Sequence, residues 1–161
     1  VLQWLRDSGC PWSWSTMNAA AYGGHLHILE WAHDRGCPMG EAILHAASGG
    51  HIDALQWLLD HGCGWTAKCS NIAAARGHVE VLRWASGRGL EINGQGVMEF
   101  AAKEGRLDVL KWGQERGLPL EAGTLSYVRD KAIREGNIDL LRWAVDAGCT
   151  LGVEVCAAAA R

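Results

Sequence analysis

The chain has 161 residues, a formal net charge of −3, 48% hydrophobic residues and 20% charged ones, enough apolar content for a core and enough charge for a hydrated surface. Both signs interleave, as at Lys103, Glu104, Arg106 and Asp108, so no basic block exists to track a nucleic-acid backbone. No apolar run reaches the roughly 20 residues of a membrane-spanning helix, and no signal-peptide pattern opens the chain.

In chain order, Val1-Leu2-Gln3-Trp4 aligns with Ile28-Leu29-Glu30-Trp31, so the sequence opens in mid-unit and reads as an excerpt of a longer array. After a loop at Cys10-Pro11-Trp12-Ser13 comes an alanine-rich helix centred on Ala19-Ala20-Ala21. A glycine turn follows, and then His25–Arg35 reads as an amphipathic helix of about three turns. Leu26, Ile28, Leu29 and Ala32 share one face of that helix, while His27, Glu30 and Asp34 point away. The same order returns with Ala46-Ala47 before Ile52, Leu55 and Leu58, and again after Ala73-Ala74-Ala75 and Ala101-Ala102. Glycine pairs frame each second helix: Gly24 and Gly36, Gly50 and Gly62, Gly77 and Gly89, Gly105 and Gly117, Gly136 and Gly148. Seven residues past each opening glycine stands Trp31, Trp57, Trp84, Trp112 or Trp143, and the pattern recurs every 26 to 31 residues. Self-similarity at such a period marks a solenoid of stacked units. Because the glycine-to-glycine step is constant across the second helix and variable before it, the sequence predicts a shorter first helix and insertions collected in the loop. Val155–Arg161 begins a further partial unit.

These residues resemble a known family. Gly24-His25-Leu26-His27-Ile28-Leu29-Glu30-Trp31-Ala32-His33-Asp34-Arg35-Gly36-Cys37 resembles the second-helix half of an ankyrin repeat, and Ala46-Ala47-Ser48-Gly49-Gly50-His51 resembles the end of its first helix and the turn. The units are shorter than the family's usual 33 residues or so. The loop is compressed to stretches such as Cys37-Pro38-Met39-Gly40, and the threonine-proline-leucine-histidine start of the first helix is absent. The resemblance implies an all-α helical solenoid over residues 1–161, with about five complete repeats, partial repeats at both ends and reduced β-hairpin fingers. It implies an adaptor or scaffold that binds an unknown protein partner through its inner-helix face and loops, while the residues themselves predict an intracellular, non-catalytic protein without cofactor, metal, nucleic acid or membrane. The competing class is a targeting array of a larger enzyme, or a metal or redox protein using the Cys and His residues.

Comparison of equivalent positions sorts the suspicious side chains. Cys10, Cys37, Cys63 and Cys149 follow closing glycines and read as small buried hydrophobes a repeat apart, too distant for a disulfide or a shared zinc. Cys69 and Cys156 complete no ligand motif. His25, His51 and His78 share a column with Arg106 and Asn137, which favours structural hydrogen bonding over chemistry. The Trp31 column and the apolar residues Trp12, Met39, Trp65, Ile92, Leu120 and Leu151 read as packing, with Trp57 and Trp84 substantially buried. Recognition is expected where units differ: Trp14 in the loop, Tyr22, Ser48, Lys103 and Arg134 near the end of the first helix, and Glu41, Asn71, Glu99, Tyr127 and Asp130 around its start and middle.

Overall fold

The computed structural model of the protein describes residues 13–150, so Cys10, Trp12, Leu151, Cys156 and the partial units at either end lie outside the described residues. Among the described residues, helices follow one another and no strand occurs. They form five pairs joined by tight turns: α1 (Trp14–Tyr22) with α2 (Leu26–His33), α3 (Ala42–Gly49) with α4 (Ile52–Asp60), α5 (Ala67–Arg76) with α6 (Val79–Gly87), α7 (Gly94–Glu104) with α8 (Leu107–Glu115), and α9 (Ala122–Glu135) with α10 (Ile138–Asp146).

The paired glycines are helix stops. Each opening glycine ends a first helix and each closing glycine ends a second, all with positive φ between 66° at Gly136 and 97° at Gly148. At Gly50 the following His51 N–H donates back to the Ala46 carbonyl at 3.1 Å, and beyond Gly36 the Cys37 N–H donates to Ala32 at 3.1 Å. This six-to-one closure needs a left-handed residue, which a Cβ disfavours.

Two expectations are corrected. The second helix is eight residues, Leu26–His33, rather than the three turns of His25–Arg35, because the left-handed stop draws Asp34 and Arg35 into the turn. Nor is the first helix the shorter one, except in the pair of α3 and α4. First helices run 9, 8, 10, 11 and 14 residues, against 8 or 9 for second helices. The loop is the steady part: Gly62 to Ala67, Gly89 to Gly94 and Gly117 to Ala122 are each five steps. Added residues extend the helix at its N-terminal end, where each gains a backbone hydrogen bond that an exposed loop would leave to water.

First helices pack on one another in chain order, α1 on α3, α3 on α5, α5 on α7 and α7 on α9, far more closely than α2 on α4 or α6 on α8. Alanine makes this approach possible: Ala46, Ala47, Ala73, Ala74, Ala101 and Ala102 are fully buried at the helix-to-helix contacts. Second helices complete the core with Leu29, Leu55, Leu58, Leu82, Leu110 and Leu140, also fully buried. The face of the first helices turned away from their partners is left open.

Candidate protein-binding face

On each first helix the residues nine, six, five and two positions before the opening glycine share one face, the i, i+3, i+4, i+7 spacing of a helix. The alanines three and four positions before that glycine point into the core instead. Nine of the ten residues expected to vary for recognition lie on the open face: Glu41 and Tyr127 at nine, Asn71, Glu99 and Asp130 at six, and Tyr22, Ser48, Lys103 and Arg134 at two. Trp14 is not a loop residue. It is the first residue of α1, just N-terminal to that face and 60% exposed. The column five before the glycine, with Ala19, His45, Ile72, Phe100 and Lys131, was missed, although its changes from unit to unit were there to be noticed.

At the middle of this face α3, α5 and α7 enclose a groove of about 630 Å³. Leu44, Ile72, Ala75 and Phe100 give it an apolar floor. Glu41 and Lys68 stand at the end nearest the helix starts, and Arg76, Glu104 and Arg106 at the turn end, with His45, Ser48 and Asn71 between. The Asn71 Oδ1 is buried without a hydrogen-bond partner. It sits over Gly96, where a Cβ would come within 2.5 Å of it, so the glycine leaves room for the asparagine.

Beside the groove, three of the expected residues meet. Lys103 Nζ lies 2.6 Å from Glu99 Oε1 and 5.1 Å from the Tyr127 ring, with Phe100 at 5.8 Å. The hydrogen bond that Lys103 donates to Glu99 raises the Lys103 pKa, keeping the ammonium charged beside two exposed aromatic faces. Asp130 is held by Arg129 at 2.9 Å.

The repeated columns do structural work. His78 Nε2 and Arg106 Nε each reach a carbonyl of the preceding repeat, Ser48 and Ala75, at 2.9 Å. The Cys37 thiol donates to the Ser13 carbonyl at 3.2 Å, tying one loop to the loop before it, and the Cys149 thiol donates to the Leu125 carbonyl in the first turn of α9 at 3.7 Å. Burial pushes the Cys37 and Cys63 thiols up in pKa, so the neutral form is favoured. Cys37, Cys63, Cys69 and Cys149 are all free. Among the described residues, no group of three or more His, Cys, Asp or Glu side chains is placed to hold a metal ion.

The tryptophan column splits. Trp112 and Trp143 are buried, whereas Trp57 and Trp84 are only partly so, short of the substantial burial expected. His61 stacks on Trp57 at 4.0 Å and Arg88 lies 5.3 Å from Trp84. Arg35 and Arg116 sit over Trp31 and Trp112 in the same way, so the residue before the closing glycine shields the indole.

The family model for the ankyrin repeat matches residues 39–70. Residues 39–70 form an ankyrin repeat. This ankyrin repeat holds α3, α4 and the start of α5, and the neighbouring helix pairs carry the same two glycine stops and the same tryptophan. No curated protein matches the chain. The loops of the solenoid contain no strand among the described residues, so the hairpin fingers are absent there. No described helix is long and apolar enough to cross a membrane.

Proposed function

We propose that this ankyrin-type array is a protein-binding scaffold without chemistry of its own, engaging its partner through the open face of the first helices and the adjoining loops. One observation carries the reading. The chain has one phenylalanine and two tyrosines, and Phe100, Tyr22 and Tyr127 are all on this face, 41%, 51% and 46% exposed. Fully burying such a side chain is worth about 1.5–3 kcal/mol, and the fold forgoes part of that at three positions on one surface. Exposed aromatics on a rigid surface are the usual anchors of an interface. The tryptophans of the repeated column, by contrast, are spent on packing. Charges of both signs along the same face lend no support to a nucleic-acid partner.

Affinity capture with the intact chain, compared with Tyr22→Ala, Phe100→Ala and Tyr127→Ala, tests the proposal. A captured protein should be lost from these variants and retained by Glu30→Ala, Gln56→Ala and Arg83→Ala on the second helices. The reverse pattern would place binding on the outer layer and refute the assignment.

A further inference from the structure

We propose that the groove between α3, α5 and α7 receives an acidic peptide segment. A bulky apolar side chain would lie on Leu44, Ile72 and Phe100, and an Asp or Glu carboxylate close to it in sequence would pair with Arg76 and Arg106. The proposal rests on the protein-binding reading above and adds the chemistry of what is bound.

The charges around the groove are unspent. Arg83, Lys103, Arg129 and Lys131 each have a carboxylate within 4.0 Å. Among the described residues, no ion pair engages Lys68, Arg76 or Arg106, nor the groove carboxylates Glu41 and Glu104. Arg76 and Arg106 both line the groove, and Arg106 Nε donates to the Ala75 carbonyl at 2.9 Å, next to Arg76 in the chain. The Arg106 stem lies against Gly77, where an added Cβ would come 3.2 Å from its Cδ. With one nitrogen fixed on the backbone, the two terminal nitrogens stay available, and a carboxylate accepts from such a fork with little further ordering. The two carboxylates cannot offer a cation the same reception, for Glu41 is at the start of α3 and Glu104 at the end of α7, two repeats apart.

Comparison along the array separates fold from recognition at this position. One repeat earlier, neutral-capable His78 makes the same bond to a backbone carbonyl at 2.9 Å. The stacking of repeats therefore does not require a permanent cation there. Arginine keeps the tether and adds a charge at the mouth of an apolar groove.

The test is selection of a phage-displayed random dodecapeptide library on the intact chain, followed by affinity measurement with the synthetic winners. Enriched peptides should share Leu, Ile, Phe or Trp with an Asp or Glu within one helical turn. Their affinity should fall about tenfold or more in Arg76→Gln and in Arg106→His, the scale of a lost charge-assisted hydrogen bond. Arg106→His preserves the tether seen at His78, so its melting temperature should stay near that of the parent. Glu104→Gln, which removes an opposing charge, should tighten binding. Peptides rich in Lys or Arg would overturn the acidic assignment. So would affinity lost in Ile72→Ser but unchanged in both arginine variants, and either result would leave the protein-binding reading standing. Binding indifferent to Ile72→Ser and Phe100→Ala, or no enrichment at all, would overturn both.

Discussion

His78 Nε2 lies 2.9 Å from the Ser48 carbonyl oxygen, one repeat back in the array. A carbonyl only accepts, so Nε2 carries the proton in this contact. The same ring covers Gly50, where an added Cβ would come 2.7 Å from His78 Nδ1. One side chain thus joins two repeats by a hydrogen bond and by contact with a backbone that has no side chain in the way.

That relationship predicts a graded set of variants. His78→Arg should keep most of the stability, because Arg106 makes the equivalent bond to Ala75. His78→Ala should cost about 1 kcal/mol or somewhat more by urea denaturation, since it leaves a carbonyl without its partner. Gly50→Ala should cost more than Gly36→Ala. Both have positive φ, but nothing lies within 4 Å of a Cβ at Gly36. Equal midpoints for the two glycine variants would show that the histidine contact carries no weight.

Equivalent tryptophans should not be equally costly. Trp112 is 2% exposed, and Trp112→Ala should destabilise by about 3–5 kcal/mol, as large aromatic deletions in cores do. Trp57, partly open and stacked on His61 at 4.0 Å, should cost clearly less on truncation. Thermal denaturation of the two variants side by side decides this, and a larger loss at Trp57 would contradict the packing described.

A third expectation is a gain. Trp143 Nε1 donates to Gln114 Oε1 of the preceding repeat at 3.0 Å, whereas Trp112 Nε1 is buried with no partner. The position equivalent to Gln114 one repeat earlier is Ser86, whose hydroxyl takes a 2.6 Å bond from Arg116. Ser86→Gln should supply the missing acceptor and stabilise by about 0.5–1.5 kcal/mol, less what the Arg116 bond contributes. A lower melting temperature for this variant would mean that the exposed Arg116 contact outweighs the buried one.

The thiols make a pH prediction. Burial raises the Cys37 and Cys63 pKa above the ordinary thiol value. The stability tied to the neutral thiols is fully present below that ordinary value and is lost as pH rises through the higher folded-state one. Alkylation by iodoacetamide, read by peptide mass mapping, should therefore be slow at both sites at neutral pH and quicken only in alkaline solution. Rapid modification of Cys37 in folded protein at pH 7 would rule out the buried, bonded thiol.

The periodic glycines determine much of this fold by local means. A left-handed stop such as Gly36 or Gly50 is made by one residue and a few backbone bonds around it, so its spacing alone announces helix, stop, helix, stop. The alanine positions and the open face follow from helical periodicity, which is why Glu41, Asn71, Glu99, Tyr127 and their companions could be named beforehand. The start of each first helix is different. It lies at Ser13 or Asn93 in some repeats, where a side chain caps the first turn. At Glu41 or Glu121 no side-chain cap bond forms, so a varying interval looked like a varying loop. Burial also escapes the local pattern: Trp57 and Trp112 occupy one column, but what covers each comes from other residues. The groove is the plainest case, since Glu41, Ile72 and Arg106 come from three repeats and only the close packing of alanine-lined helices brings them together.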